Sequence, residues 1–375
     1  MSTPSFIPYG RQSIDESDIT AVIEVLRSDW LTTGPAVERF EADICAYTGA
    51  RYAIAVSNGT AALHAAMFAL NIGPGDEVIV TPMTFVASAN CILYQGGTPV
   101  FADVDPDTLL LDPAAVEASI TPRTKAIIAV DYAGQPCDWD ALNAIADRHH
   151  LALVADGCHA LGARYKGRRV GTLADITVFS FHPVKHITTG EGGMAVTDDE
   201  RLATRMRHFR GHGITTTAAE REKMVGWFYE MTELGYNYRI TDFQCALGSS
   251  QLKKLDGWIS KRNILARVYD ATFAGQTVIR PLKRHTDVMH AYHLYVVRIP
   301  DRDDVFRNLR ANGIGTNVHY VPVHLHPYYQ RVVGTYEGMC PVAEAAYKEI
   351  LTLPLWPGMT EADSQRISNT IRNYK

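Results

Sequence analysis

Phe179-Ser180-Phe181-His182-Pro183-Val184-Lys185-His186-Ile187-Thr188-Thr189-Gly190-Glu191-Gly192-Gly193 is the stretch on which the reading of the whole chain turns. It joins two strand-like runs, 176–180 and 193–197, through a turn rich in Thr and Gly. Lys185 is an amine on a flexible stem at the end of an apolar strand. Placed there it can form a Schiff base, and burial or a neighbouring cation favours its uncharged, nucleophilic form. The same residue reads equally well as a solvated lysine that merely closes a strand. The flanking sequence has to decide between the two.

Upstream, short runs rich in Val, Ile and Ala alternate with helical spacing. Residues 52–56, 77–81, 100–102, 125–130 and 152–155 read as strands, and 60–70, 84–95 and 139–149 as helices. Two amphipathic helices precede them, over 14–28 (Ile19, Val22, Ile23, Leu26) and 37–47, separated by Asp29-Trp30-Leu31-Thr32-Thr33-Gly34. This alternation predicts an α/β fold with a large mixed, mostly parallel sheet covered on both faces. After Gly211 the character changes. A charged stretch and Gly235-Tyr236-Asn237-Tyr238-Arg239 lead into one long helix over 242–273, and strand-like 294–299 and 318–321 then flank a helix over 304–311. The expected organisation is a large domain over 1–250, including the N-terminal arm, and a smaller α+β domain over 251–375.

The 375 residues carry a net charge of −5, which gives no general electrostatic reason to bind nucleic acid or a membrane surface. Cys45, Cys91, Cys137, Cys158, Cys245 and Cys340 are scattered without a Cys-x-x-Cys pair. That spacing argues against a zinc site or a disulfide framework and suits a reducing cytoplasm. The N-terminus shows no basic-then-apolar leader, and no apolar run is long enough for a membrane span. The histidines His319, His324 and His326 lie in a Pro-rich loop that suits substrate contacts better than a metal, so no metal is expected.

Ser57-Asn58-Gly59-Thr60 lies between a strand and a helix. Small residues let a ligand approach the backbone there, and a helix N-terminus offers free amides to a phosphate. A plain N-cap turn has the same composition. Asp156 ends the apolar run 151–155 and opens Asp156-Gly157-Cys158-His159. A carboxylate at the C-terminal end of a parallel strand can pair with a protonated ring nitrogen, and His159 could touch the same ring. A helix cap and a satisfied core histidine are the alternative.

Taken together, a phosphate cradle, a carboxylate for a ring nitrogen, an aromatic (Phe85) to cover a ring and a Schiff-base amine are what pyridoxal 5′-phosphate (PLP) requires. The chain resembles the fold-type I PLP-dependent transferases, and within them the DegT/DnrJ/EryC1/StrS sugar-nucleotide aminotransferases. The resemblance runs from Pro8 to roughly Pro357. It rests on 30–34, 57–63, 82–87, Asp156-Gly157-Cys158-His159-Ala160-Leu161-Gly162, 180–185, Glu191-Gly192-Gly193 and 235–239.

The resemblance implies that Lys185 carries the Schiff base and moves protons, that Asp156 faces the pyridine nitrogen, that His159 lies near the ring hydroxyl and that Phe85 stacks on the ring. Gly59, Thr60 and Ser180 would hold the phosphate. Asn237 would reach the phosphate of a neighbouring subunit, making a homodimer with shared active sites. Arg239 would hold the amino-donor carboxylate or form a dimer salt bridge. Tyr9, Asp29, Trp30, Leu31, Thr32, Val318, His319, Tyr320 and Val321 match segments that border the sugar-nucleotide pocket, although Tyr9 reads also as a packed aromatic of the N-terminal arm.

Relatives with histidine in place of the lysine remove a sugar hydroxyl, whereas Lys185 implies amination. The run 186–193 is similar to the branch that aminates C4 of a nucleotide-linked 4-keto sugar. Residues 130–134, 209–213, 237–244 and 251–254 look most like the pseudaminic-acid enzymes of that branch. They transfer the amino group of L-glutamate to give UDP-4-amino-4,6-dideoxy-N-acetyl-β-L-altrosamine. A UDP-4-keto pentose is the competing substrate, since one extra methylene-sized group shifts binding by only about 1–3 kcal/mol. A PLP-dependent dehydratase and a non-catalytic regulator of the same fold are the remaining alternatives.

Overall fold

The computed structural model describes residues 6–216, 221 and 226–374. The first five residues, part of the N-terminus read above as leaderless, and 217–220 and 222–225 of the charged stretch lie outside the described residues.

Two helices, α1 (Glu16–Leu26) and α2 (Pro35–Thr48), precede the central sheet. Asp15 caps α1 by accepting from the backbone of Ser17 and Asp18, and Pro35 opens α2, where its missing N–H costs nothing. The strands β1 (Tyr52–Val56), β2 (Glu77–Val80), β3 (Thr98–Phe101), β4 (Thr124–Val130), β5 (Ala152–Asp156), β6 (Ile176–Ser180) and β7 (Gly193–Thr197) form one sheet in the order β1-β7-β6-β5-β4-β2-β3. From β3 to β6 the neighbours are parallel, and β7 runs antiparallel to both β6 and β1. Their side chains are buried almost throughout, as strands covered on both faces require.

The helices α3 (Gly59–Ala69), α4 (Ala87–Tyr94), α5 (Trp139–His149) and α6 (Glu200–Arg210) lie between or after these strands. α3 is apolar on nearly every side and correspondingly buried. Parallel β4, β5 and β6 end at Val130, Asp156 and Ser180, so these residues come to one edge of the sheet. Open α/β sheets bind ligands at that edge.

The helix expected over 242–273 is two helices, α7 (Asp242–Leu252) and α8 (Leu255–Phe273). At the break Lys254 turns back onto α1. Its ammonium lies 2.7 Å from Asp15 and 2.8 Å from the fully buried Asp18. A second, antiparallel sheet joins β8 (Arg280–Pro281), β9 (Tyr295–Arg298) and β10 (Ile350–Leu353), packed with α9 (Arg302–Ala311) and α10 (Glu361–Tyr374). Its core, which includes Leu265, Tyr269, Val297, Leu309, Leu353 and Ile367, is a buried cluster separate from that of the large sheet.

Residues 318–321, expected as a strand, belong to none. Only Asn317 pairs with Thr352, and the backbone beyond it is diverted by side chains: the Tyr132 hydroxyl donates to the His319 carbonyl. Among the described residues no helix is long and apolar enough to cross a membrane.

Candidate active site

The C-terminal edge of the large sheet opens into a cleft of about 850 Å³. Asp156 lies on its floor and is almost wholly buried. One carboxylate oxygen accepts from the Ser88 hydroxyl at 2.7 Å and the other from the Cys158 amide at 3.1 Å. Together the two bonds fix the direction in which the carboxyl group faces.

His159 sits beside it. Its Nε2 pairs with the Tyr320 hydroxyl at 3.0 Å, while its Nδ1 is buried without a partner among the described residues. Burial, with Lys185 close by, holds this imidazole well below its ordinary range, hence neutral.

The turn at 57–60 opens on the same cleft. Asn58 caps α3 by accepting from the Ala61 amide at 2.8 Å, and the Ser57 amide donates to the Tyr238 carbonyl at 2.8 Å. A β-carbon on Gly59 would lie 3.0 Å from Ser180 Cβ and 3.3 Å from Cys158 Sγ, so the turn packs closely against β6 and a larger residue would press on it. Gly193 is confined more severely, since a side chain would collide with the Asn58 carbonyl. The plain reading of the sequence holds, since 57–60 is a capped helix start, and its open end faces the cleft with Thr60 and Ser180 beside it.

Lys185 reaches the cleft from the loop between β6 and β7. Thr188 and Thr189 stitch that loop back to Phe181, by a hydroxyl at 3.0 Å and an amide at 3.0 Å, and Gly190 adopts φ 82° at the tip. This explains the Thr-Thr-Gly composition. Burial pushes the Lys185 pKa down, against nearby Cys158 and Asp156, which raise it. Its Nζ lies 3.4 Å from His293 Nε2.

Of the residues named from sequence, the cleft gathers Tyr9, Gly59, Thr60, Phe85, Asp156, His159, Ser180, Lys185, Val318, His319 and Tyr320. It does not include Asp29, Trp30, Leu31, Thr32, Asn237, Arg239 or Val321. Residues 29–32 and 237–241 lie side by side elsewhere, joined by the Thr32–Thr241 bridge and by the Asp242 amide on the Leu31 carbonyl. Asn237 and Arg239 are exposed.

His319 pairs with Thr352 and His324 with Glu344, so the loop histidines point to different partners. Among the described residues no group of three or more His, Cys, Asp or Glu is placed to hold a metal ion. Ser88, Tyr94, His182, Tyr238 and His293 also serve or line the site without having been singled out. A serine on a buried helix face and a lone histidine before an apolar strand carry no local motif.

The residues present fit PLP. An open helix N-terminus with two hydroxyls suits its phosphate, the oriented carboxylate suits a protonated ring nitrogen, and the orphaned Nδ1 of His159 suits a ring hydroxyl.

Comparison with known proteins agrees. Residues 12–372 match the DegT/DnrJ/EryC1/StrS aminotransferase family. The spore coat polysaccharide biosynthesis protein SpsC of Bacillus subtilis is 43% identical over 98% of this chain and 97% of that protein. A Streptococcus pneumoniae protein described as a sugar aminotransferase, Spr1654, superposes in its PMP form with a TM-score of 0.93 at 34% identity, covering 98% of both chains, and in its PLP form at 0.92. Helicobacter pylori PseC, an aminotransferase involved in the biosynthesis of pseudaminic acid, superposes at 0.92 with 33% identity over 98% of this chain and 99% of that one. The chain belongs to the DegT/DnrJ/EryC1/StrS aminotransferase family and is a PLP-dependent sugar aminotransferase.

Proposed function

We propose that the enzyme moves the amino group of L-glutamate to C4 of a UDP-linked 4-keto-6-deoxy-N-acetylhexosamine, giving UDP-4-amino-4,6-dideoxy-N-acetyl-β-L-altrosamine. The observation that carries the chemistry is the convergence of Lys185, Asp156 and the 57–60 turn on one cleft. The likeness to PseC along almost the whole chain supports the choice of sugar. A UDP-4-keto pentose is the second reading, because the run 186–193 is common to the C4 branch.

When bound, PLP supplies an aldehyde that takes up an amine and a ring that withdraws electrons as a proton leaves the neighbouring carbon. Asp156 keeps the ring nitrogen protonated, and its bonds to Ser88 and Cys158 hold it in line. Gly59, Thr60 and Ser180 would hold the phosphate, Phe85 would cover the ring, and His159 would meet its hydroxyl. Lys185 Nζ would be the base that takes the proton from the donor α-carbon and the acid that delivers one to C4 of the sugar. Tyr9, Val318, His319 and Tyr320 wall the sugar side of the cleft.

Asp29–Thr32, Asn237, Arg239 and Val321 act in trans or at the rim. Asn237 and Arg239 are exposed, as are Trp30, Leu31, Trp227, Phe228, Met231 and Leu234 in the segments 29–32 and 226–239, which we take as one face. A second copy covering that face brings Asn237 to the partner's phosphate and Arg239 to the donor carboxylate. We also place the division between a PLP-binding unit and a smaller unit at 250/251, near the end of α7.

A panel of UDP- and dTDP-4-keto sugars incubated with L-glutamate, with products identified by mass spectrometry and NMR, tests the substrate. Faster turnover of the 4-keto pentose than of the N-acetylated hexose overturns the choice of sugar. Lys185→Ala protein is expected to lose both turnover and the lysine-dependent visible absorption of the loaded enzyme. Ping-pong transamination retained by that variant overturns the site.

A further inference from the structure

The loop 290–294 is held far more firmly than its exposure to substrate explains. The Ala291 amide donates to the Gly134 carbonyl at 2.9 Å and the Leu294 amide to the Ala133 carbonyl at 3.1 Å. His186 Nε2 bonds the Ala291 carbonyl at 3.2 Å, and Asn263 donates to the His290 carbonyl at 3.0 Å. The fully buried Arg262 guanidinium donates to the Tyr292 carbonyl at 3.0 Å.

Two backbone features are spent on the same loop. Tyr292 adopts φ 50°, a left-handed conformation that is unfavourable for a bulky residue. Gly134, at φ 103°, leaves room that a β-carbon would fill, 2.8 Å from both the His159 carbonyl and the Tyr292 amide. What this arrangement delivers to the cleft is one side chain. His293 is buried, packs 4.4 Å from the His159 ring, and presents Nε2 to Lys185 Nζ.

We propose that His293 is a positioning residue for Lys185, its Nε2 accepting an N–H from Nζ whenever the amine is not covalently engaged. The proposal rests on Lys185 being the reacting amine. The acceptor works in both protonation states, because –NH₂ and –NH₃⁺ each have hydrogens to donate. Giving one hydrogen to Nε2 leaves the lone pair of the neutral amine free to face the cleft. Nδ1 then carries the imidazole's own proton, and it is the atom left without a partner.

Burial, with Lys185 and His159 nearby, keeps His293 neutral, so it meets the ammonium as an acceptor and not as a like charge. The other groups facing Lys185 or this loop are Asp156 and Cys158 from the end of β5, with His159, His186, His319 and Arg262. Asp156 is the carboxylate among them.

The test uses two polar replacements. His293→Gln places an acceptor near the position of Nε2, whereas His293→Asn reaches only the position of Nδ1. Cofactor-free protein is labelled with a limiting amine-directed reagent between about pH 6 and 11, and labelling of Lys185 is measured by peptide mass spectrometry. Exposed Lys348 serves as the internal reference.

An acceptor for the ammonium raises the lysine's pKa, so its loss moves the labelling profile to lower pH. The Asn variant is expected to shift the Lys185 profile down by about one unit, a roughly tenfold faster labelling on the acid side, with Lys348 unchanged. The Gln variant stays near wild type. In the loaded enzyme the Asn variant slows the glutamate half-reaction by roughly tenfold with little change in KM, and the Gln variant recovers most of that rate. Gln and Asn profiles that coincide overturn the positioning role. If the Asn variant does not fold, His293→Leu takes its place against Gln with the same two outcomes. Retained transamination by Lys185→Ala overturns instead the reading of the site itself.

Discussion

Asp156, His159 and His293 at the floor of the cleft are all less than a tenth exposed, and their orientations are fixed by neighbours within the same chain. In the segments 29–32 and 226–239, by contrast, Trp227 is 85% and Leu234 76% exposed, and Asn237 and Arg239 are exposed as well. The first region is held within one copy, and the second is the one that the proposed function assigns to a contact between copies. A packed floor can hold charge and aim protons in a water-poor setting, which is what a reactive amine and an electron-withdrawing ring need. In the proposed homodimer a second copy of the chain covers these exposed apolar residues.

The largest effect separates these two regions by subunit. Lys185→Ala and Asn237→Asp, each alone, are expected to lower turnover by about a thousandfold or more, the second by placing an anion beside the cofactor's phosphate. Co-expressed with separable tags, the two dead chains pair at random. Each mixed dimer then holds one wild-type site, and activity returns to about one quarter of the wild-type level. A mixture that stays dead puts Lys185 and Asn237 in the same site of one chain and removes the contrast.

Leu31→Asp tests the open face directly. Its backbone carbonyl still accepts from the Asp242 amide, so the local fold has no reason to change, but a carboxylate would be buried in the dimer. The expected outcome is a monomer by sedimentation, with native circular dichroism and about a hundredfold loss of turnover at low protein concentration. A stable dimer of full activity moves the interface elsewhere.

The packed side carries its own cost, at Asp131. One of its oxygens accepts from the Cys137 amide at 2.8 Å and the Trp139 indole at 3.2 Å, and the other is buried without a partner. Burial pushes its carboxyl up to about 8, with Asp156 adding a smaller push. The folded-state value therefore lies above the unfolded one, so the stabilising contribution is full at low pH and is lost as pH rises through about 8. Between about pH 4 and 8 the wild type should lose on the order of a few kcal/mol relative to Asp131→Asn. Melting curves of the two proteins at several pH values check this, and a gap that does not depend on pH shows that the carboxyl titrates normally.

The sequence made the first region legible where its chemistry is local. Strand ends place Asp156 and Ser180, and the composition of 57–60 and 186–193 follows from a helix start and a tight hairpin. It could not show contacts made only by the finished fold. His293 is 108 positions from Lys185 and stands between Tyr292 and Leu294 with no motif around it. The break between α7 and α8 was hidden for a similar reason, since it serves Lys254 reaching α1 while the chain on both sides remains helix-forming. Residues 318–321 have strand composition, but the His319 carbonyl and imidazole are engaged by the Tyr132 and Thr352 side chains and the Tyr320 hydroxyl by His159. The open face was legible only through the resemblance of 235–239, because exposure is not written in residue type.

The smallest effect probes how far the packed floor acts through second contacts. Ser88 is fully buried on α4 and has a single hydroxyl hydrogen, which goes to Asp156 at 2.7 Å, while Thr84 can supply a hydrogen to Ser88 at 2.8 Å. Ser88→Ala takes one bond from Asp156 and leaves the Cys158 amide to hold the other oxygen. Losing one such bond costs about 1 kcal/mol, so kcat should fall about fivefold with KM for the sugar nearly unchanged, and Ser88→Thr should restore it. Alanine and threonine variants that both match the wild type would mean that the Cys158 amide alone fixes the carboxylate. A loss in the alanine variant as deep as that of Asp156→Asn would mean that the serine holds the charge itself in place, and the floor would then be a network in which no single bond is spare.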